Sequence, residues 1–401
     1  MPDFKELAED MLAIWDQIAS QNALGAVMMP DDPTAPCWCR SGVSWNECHK
    51  IRGDLAEVTS AQLNDICSRE QPARVCRHPE AGPHACSSPE PISSHTIQRN
   101  GGLADISEAG HVYSSKRSFE RIDKTDGVVG FERLGVRQAS VFPGYCGKHD
   151  KALFDYAERV DSPLDLQSCF LLSLRAVAFE LSLKTLQLQL NTVRRRFVDR
   201  GKTFEHQSGV QNVMQATEDA VKLGAQDVTE LNKRYIHAYE SEARRRALSV
   251  YAIRFDQILP FAAAGVFVAE IDFAGRRLSS LRHGGHFSQV ALNIAVVGRS
   301  TCMILAWFGG AESSAAKLVD SFKALPEDRK ATAALILALE HLENFFCKPI
   351  WWDGLRSKDR DRLDAKIASG MREVRYSDAL VEREVNPIVS RILETLEIAG
   401  Q

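Results

Sequence analysis

A cluster of soft metal ligands near the start of the chain most constrains its fold. Cys37, Cys39, Cys48 and His49 follow the spacing C-x-C-x8-C-H. Three thiolates and one imidazole are a ligand set that a structural zinc ion takes in tetrahedral geometry. Cysteines two residues apart can point the same way, and Gly42 lets the chain turn back between the two ligand pairs. So short a segment has no room for an apolar core, and metal binding must supply most of its folding free energy.

The segment 35–53 resembles the SEC-C motif, a zinc module found at the C-terminal tail of the preprotein-translocase ATPase and in many bacterial proteins. The aromatic residue between the first two cysteines, the Ser-Gly turn and the closing Cys-His pair all agree with that motif. Arg40 stands where the family usually has glycine. The resemblance implies a zinc ion and a role in docking, and it implies no activity.

A second set of cysteines and histidines lies between residues 76 and 149. Cys146 and His149 come just after a Pro-Gly pair, in the arrangement of a zinc-knuckle pair that opens a helix. Their partners must come from upstream, where two thiols are available and where His78 and His84 compete for the same role. The preferred ligand set is Cys76, Cys86, Cys146 and His149.

The same region is similar to the treble-clef HNH endonucleases. The similarity lies in ISSHTI at 92–97 followed by two glycines, and in FPGYCGKHD at 142–150. It implies that His95 is a general base and that Asp150 helps to hold a divalent ion, Mg²⁺ or Mn²⁺. Asp150 stands where the family usually has histidine, and the family's orienting asparagine is missing between Gly102 and His149. Alternatively, His95 is itself a zinc ligand that replaces one of the upstream thiols.

Composition and charge favour an ordinary globular protein. The chain has 401 residues, a formal net charge of −4 and ten cysteines, and that charge gives no global attraction to nucleic acid or anionic membranes. The N-terminus lacks the basic-then-apolar pattern of a signal peptide, and no apolar run approaches membrane-spanning length. We therefore expect a cytoplasmic protein without a membrane partner, in which clustered cysteines bind metal and do not form disulfides.

The hydrophobic periodicity predicts an α+β fold, with small N-terminal zinc modules, a helical region and a small antiparallel sheet covered by helices. Apolar runs predict strands at 265–273, 290–297 and 301–308, the last two joined as a hairpin. A long helical pattern runs over 210–256 with a break near Gly224, and a last amphipathic helix is predicted at 378–398. The predicted segments are an N-terminal helix and linker at 1–34, the SEC-C-like module at 35–53, a treble-clef-like domain at 54–160, a helical region at 161–258 and an α+β domain at 259–401.

Three function hypotheses follow, and the last of them is a purely structural adaptor. The first is zinc-stabilised docking to nucleic acid, to the ribosome or to a protein partner. The second is a metal-dependent HNH-like endonuclease. Arginine triplets at 194–196 and 244–246 could contact phosphates, or they could pair with acidic residues on their own helices.

Overall fold

A computed structural model of the chain describes residues 29–115, 130–278, 288–369 and 384–400. The predicted α+β class is confirmed, because helices accompany an antiparallel sheet and the two cysteine–histidine clusters lie in the N-terminal region. The helix predicted near the N-terminus lies outside the described residues.

The helices differ widely in length, from single turns to α5 with 37 residues. Their bounds are α1 His49–Arg52, α2 Ser60–Arg69, α3 Gly147–Glu158, α4 Leu166–Arg195, α5 Phe204–Glu240, α6 Glu242–Arg245, α7 Ser314–Lys323, α8 Glu327–His341, α9 Pro349–Asp353 and α10 Ser357–Ser369.

Eight of the described strands form one antiparallel sheet, and two more form a separate pair. The strands are β1 Ser93–His95, β2 His111–Ser114, β3 Glu132–Gly135, β4 Val141–Pro143, β5 Leu248–Phe255, β6 Phe261–Val268, β7 Gln289–Val297, β8 Ser300–Phe308, β9 Phe345–Cys347 and β10 Ile392–Ile398. The order across the large sheet is β10-β5-β8-β7-β6-β9-β2-β3. It is thus larger than the small sheet expected from the sequence, because β2 and β3 of the cysteine-rich region join it.

The central strands are buried on both faces, which explains why their sequences are almost continuously apolar. Successive residues of these strands point to opposite faces of the sheet and therefore pack in different hydrophobic clusters. Ile253 and Leu305 pack in one cluster with helices α7 and α8. Ala252 and Ile304 pack in another cluster with helices α3 and α4. The predicted hairpin is confirmed by the pairing of β7 with β8, which turns at Gly298 with a φ of 72°.

Two helix predictions are wrong in part. Helix α5 passes through Gly224 without a break and ends at Glu240, and residues 248–255 form β5 inside the segment predicted as helical. The last predicted helix is also wrong over its described part, because Ile392–Ile398 pairs with β5 as an edge strand. Residues 378–383 of that prediction lie outside the described residues. The position of residues 392–398 beside β5, at the edge of the sheet, overrides the helical preference of their local pattern.

The chain divides into two compact units. The first unit comprises residues 1–73 and 181–229, and the second unit comprises residues 74–180 and 230–401. Helices α4 and α5 each contribute to both. The five segments predicted from the sequence stay a prediction. They were defined by changes in composition and periodicity along the chain, whereas the two units are defined by contacts within the structure.

Among the described residues, one helix, α4, is long and apolar enough to cross a membrane by length and composition alone. About two thirds of its most apolar window, 67%, is buried inside the protein. Such burial is what the core helix of a globular protein shows.

Candidate metal centres

The first candidate metal centre is built by a tight turn that precedes helix α1. The Cys37 N–H donates to the Val43 carbonyl at 2.9 Å, and the Arg40 N–H donates to the Cys37 carbonyl at 3.1 Å. Arg40 and Gly42 have φ values of 59° and 81°. The left-handed conformation costs an arginine about 1–2 kcal/mol, which explains why glycine is usual at position 40 in the motif that this segment resembles.

The turn brings Cys37, Cys39, Cys48 and His49 together, all buried, with one possible ligand atom of each within 4.8 Å of the others. His49 Nδ1 lies 3.3 Å from Cys37 Sγ and 3.2 Å from Cys48 Sγ, and Cys39 Sγ lies 3.6 Å from Cys48 Sγ. A tetrahedral zinc ion would space its sulfur and nitrogen ligands roughly 3.5–3.8 Å apart. The four side chains therefore fit a small tetrahedral ion.

Polar residues from outside the turn hold the histidine and one thiol. Asp199 accepts a hydrogen bond from His49 Nε2 at 2.9 Å, and both side chains are fully buried. This bond fixes the tautomer that leaves Nδ1 free for a metal. Arg52 donates from Nη1 to Asp199 Oδ1 at 2.9 Å and from Nη2 to Cys48 Sγ at 3.3 Å. Gln211 Nε2 donates to Asp199 Oδ2 at 2.8 Å, so both carboxylate oxygens have donors.

Hydrogen bonds among the thiols of this cluster shift their pKa values in opposite directions. Hydrogen bonds from the thiols of Cys37 and Cys48 lower the pKa of Cys39, and the same bond to Cys39 raises the pKa of Cys37. Burial opposes a charged imidazole at His49, but hydrogen bonds to Asp199 and to two thiols outweigh it and raise the pKa to about 10. A metal cation that binds these thiols and the imidazole would displace the protons that they carry.

The second candidate metal centre lies at the N-terminus of helix α3. It brings together the four residues predicted from the sequence, again with ligand atoms within 4.8 Å: Cys76, Cys86, Cys146 and His149. His149 Nδ1 lies 3.4 Å from Cys76 Sγ and 3.7 Å from Cys86 Sγ. His84 is exposed and outside the group, and His95 is also outside it.

Backbone N–H groups point at the sulfurs of this second cluster. The Cys146 N–H donates to Cys76 Sγ at 3.3 Å, and the Ser87 N–H donates to Cys146 Sγ at 3.4 Å. Burial raises the pKa of Cys146, but hydrogen bonds from Ser87 and from the backbone outweigh it and lower the pKa to about 6. His78 stacks on His149 with ring centroids 3.9 Å apart, so it supports the imidazole and is not one of the four. Cys76 and Cys86 are only half-buried, whereas the first cluster is buried throughout.

His95 and Asp150 lie on a two-stranded sheet and on the helix that follows it. Strand β1 pairs antiparallel with β4, with His95 opposite Val141, and helix α3 begins four residues after β4 ends. His95 Nε2 lies 3.3 Å from the Val136 carbonyl. When Nε2 donates to that oxygen, Nδ1 is left as a proton acceptor. Burial lowers the pKa of His95, which keeps the imidazole neutral near pH 7.

Asp150 lies in the first turn of helix α3. Its charge raises the pKa of His95, although burial outweighs this effect. Burial raises the pKa of its carboxyl group, and its Oδ1 is buried without a hydrogen-bond partner. A hydrogen bond with Ser94 and then the charge of the buried Arg175 oppose this rise in pKa, and Arg175 pairs with Glu158 at 2.6 Å. A half-buried carboxylate with a vacant oxygen has the chemistry to bind a hard cation.

The arginine triplets are largely used within the protein. Arg195 pairs with Glu218 at 2.5 Å and donates to the Cys39 carbonyl. Arg245 donates to Gln167 and lies over the Phe170 ring. The outer arginines at 196 and 246 pair with glutamates. Pairing within the triplet's own helix, as predicted, is seen for Arg246 with Glu242, whereas Arg195 and Arg196 pair with glutamates elsewhere in the chain.

Comparison of the chain with protein-family models, with curated proteins and with solved structures finds no match. The resemblances to the SEC-C motif and to the HNH endonucleases therefore rest on the motif residues and on the geometry given above.

Sequence reasoning missed the polar residues that surround the clusters. Asp199 lies 150 residues from His49 along the chain, and no spacing pattern links the two. The sequence likewise does not indicate that Arg175 lies near Asp150 or that the Val136 carbonyl contacts His95. Arg52 is an exception, because it follows His49 by three residues, a spacing that places both side chains on the same face of a helix.

Proposed function

We propose that this protein binds two zinc ions, one in each cluster, and that the zinc-stabilised modules dock to a partner. The observation that carries the proposal is the pair of closed ligand sets, each with three sulfurs and one imidazole nitrogen. Thiolate ligands favour zinc over magnesium and calcium, which prefer oxygen. Four protein ligands leave no open position for a substrate, which is typical of structural zinc and not of catalytic zinc.

A protein partner is the best supported of the three targets. The central arginine of each triplet is engaged inside the protein, and the chain carries a net negative charge, so little supports a phosphate-binding surface. The SEC-C-like module instead exposes apolar side chains at Val43 and Ile51, which are 45% and 47% exposed. Such side chains are suited to a protein surface that covers them. Ten free cysteines fit the reducing cytoplasm that we propose as its location.

Metal analysis tests the zinc proposal directly. We expect inductively coupled plasma and native mass spectrometry to find two zinc ions per chain. Cys48→Ser should lower this number to one, as should Cys146→Ser, because each removes a thiolate from a different cluster. Cys67→Ser, which changes a buried cysteine outside both clusters, is the matched control and should keep two. A purified protein without zinc, or variants that all keep two ions, would refute the proposal.

Binding of nucleic acid is tested by fluorescence anisotropy with short DNA and RNA duplexes and single strands. A protein partner predicts weak binding that does not discriminate between sequences. Tight binding that falls steeply with salt would instead show that phosphates are neutralised and would favour nucleic acid or the ribosome.

A second candidate function is a metal-dependent HNH-like endonuclease. The observation that favours it is the two-strand-and-helix arrangement that carries His95 and Asp150, with a neutral imidazole and a vacant carboxylate oxygen. In this reaction His95 Nδ1 takes a proton from water, the water oxygen attacks phosphorus, and the sugar oxygen leaves. Asp150 would help to hold a Mg²⁺ or Mn²⁺ ion that stabilises charge on the phosphate and on the leaving oxygen. The Val136 carbonyl orients the imidazole in place of the missing asparagine.

Cleavage assays on DNA and RNA with Mg²⁺ or Mn²⁺ test this second candidate. His95→Ala should abolish any cleavage, and Asp150→Asn should shift the metal concentration needed for it. His111→Ala is the control, because His111 is an exposed histidine on β2. Cleavage that survives His95→Ala would remove that residue from the mechanism.

A further inference from the structure

The first unit has very little apolar core among its described residues. Seven of these side chains are both apolar and buried, and four of the seven are cysteines. They are Cys37, Cys39, Trp45, Cys48, Cys67, Val193 and Val228. Buried apolar surface is the main source of folding free energy in most domains. The described part of this unit must therefore obtain much of its stability from another source.

The two long helices of this unit meet along a polar seam. Residues 181–195 of α4 and 204–229 of α5 run antiparallel, because Asn191 bonds the Met214 carbonyl at 3.1 Å and Arg195 bonds Gln211 at 3.2 Å. We refer to these two segments as the paired helices. Three glutamines of α5, spaced four residues apart, are buried on this seam: Gln207, Gln211 and Gln215.

Part of this seam lacks hydrogen-bond partners. Gln215 Nε2 and Gln187 Oε1 are buried and unpaired. A buried polar group without a partner costs about 1–3 kcal/mol, so the seam alone stabilises the paired helices poorly.

Asp199 joins the metal cluster to the paired helices. It lies in the connection between them, and it accepts from His49, Arg52 and Gln211 at 2.8–2.9 Å. Arg52 Nη1 also donates to the Arg195 carbonyl at 2.8 Å, and Arg195 donates to the Cys39 carbonyl. A continuous set of hydrogen bonds therefore runs from the ligand shell to both helices.

We propose that metal binding at the first cluster controls the folding of the paired helices, and that Asp199 is the positioning residue that couples the two. The proposal rests on the zinc site of the proposed function. With metal bound, His49 is held with its Nε2 hydrogen toward Asp199. Without metal the short turn loses its main source of folding free energy. Asp199 is then a buried charge that has lost donors, and the polar seam cannot hold the helices together by itself.

Hydrogen–deuterium exchange on the full chain tests this coupling. Cys48→Ser removes the first metal and should accelerate amide exchange across 181–229, while the strands β5 to β8 keep their protection. Cys146→Ser removes the second metal and should leave exchange across 181–229 unchanged. Cys67→Ser is the control for the loss of a buried thiol in the same unit. Zinc content is measured on the same samples.

The role of Asp199 is tested with two substitutions. Asp199→Ala should weaken zinc binding at the first cluster by about 10–100-fold, the usual effect of losing the partner of a ligating histidine. Asp199→Asn keeps an oxygen acceptor for His49 Nε2 and should restore a large part of that loss. The absorption bands of bound Co²⁺ should shift in Asp199→Ala and return toward the original in Asp199→Asn. Asp65→Ala removes an exposed carboxylate of the same unit and should change neither.

Two results would overturn the coupling. If Cys48→Ser loses one zinc ion and exchange across 181–229 stays slow, the paired helices fold without the metal, although the zinc site itself is upheld. If Cys48→Ser loses no zinc, the first cluster is not a metal site, and both the coupling and the proposed function fail at this cluster.

Discussion

Glu158→Gln should destabilise the second unit by about 2–3 kcal/mol. Glu158 pairs with Arg175 at 2.6 Å, and Arg175 is only 2% exposed. Removing one partner of a buried ion pair typically costs about 3–5 kcal/mol, because the other charge is left buried without compensation. Glu158 is 25% exposed, so water can partly replace it and the cost is reduced.

Little else around Arg175 can compensate its charge when Glu158 is replaced. Its guanidinium lies 4.4 Å from the centroid of the Phe154 ring, and its Nε is already buried without a partner. The cation–π contact contributes about 1–2 kcal/mol at a desolvated site, which is less than the charge loses. The double variant Glu158→Gln/Arg175→Met should therefore recover most of the stability, because methionine can pack on Phe154 without a charge.

Urea unfolding followed by tryptophan fluorescence measures these changes, because Trp307 and Trp352 are buried in the second unit. Asp155→Asn is the control, since it breaks the exposed Asp155–Arg159 pair on the same helix and should change little. The reasoning would be refuted if the double variant were less stable than Glu158→Gln alone. The loss would then come from the shape of the arginine and not from its uncompensated charge.

Two further predictions concern a titrating carboxyl group and a close backbone approach. Burial raises the pKa of Asp364 from 3.8 to about 6, so the folded state binds the proton more tightly than the unfolded chain. The contribution of the Asp364 carboxyl group to stability is present below pH 4 and is lost as the pH rises through 6. Asp364→Asn should therefore stabilise the protein by about 1–2 kcal/mol at pH 7.5, whereas Glu343→Gln at an exposed site should not. Urea unfolding at pH 4 and at pH 7.5 measures these changes. Gly144→Ala would place a Cβ 2.6 Å from the Phe142 ring and should cost about 1–3 kcal/mol in thermal or urea unfolding. Gly130→Ala meets open space and should be neutral, and equal effects of the two alanines would contradict the packing argument.

The sequence predicted the members of both clusters better than it predicted their surroundings. Cys37, Cys39, Cys48 and His49 lie within 13 consecutive positions, so backbone geometry alone limits how far apart they can be. For the second cluster the sequence left alternatives open at His78, His84 and His95. The structure brings His149 to the thiols because the helix that carries it begins directly after Cys146.

The apolar character of the strands β6 to β8 predicted that a sheet would form, but it predicted neither the size of that sheet nor that β5, inside the segment predicted as helical, belongs to it. A continuous apolar run shows that a strand is buried on both faces without showing which strands lie beside it. β2 and β10 joined the sheet through backbone hydrogen bonds whose partners lie far away in sequence, and β3 joined it by pairing with β2. The helix predicted over 378–398 was wrong at 392–398, because i, i+4 spacing of apolar residues fits a helix and also the half-buried face of an edge strand.

The sequence by itself determined the chemistry that the chain can offer, namely six thiols and two imidazoles at spacings suited to two soft cations, within an α+β protein. Only the tertiary structure decided how that chemistry is supported. It brought Asp199 to His49, the Val136 carbonyl to His95 and Arg175 near Asp150. Local spacing determines which nearby residues can bind the same ion. The partner of a buried polar group is instead determined by packing between segments that are distant in sequence.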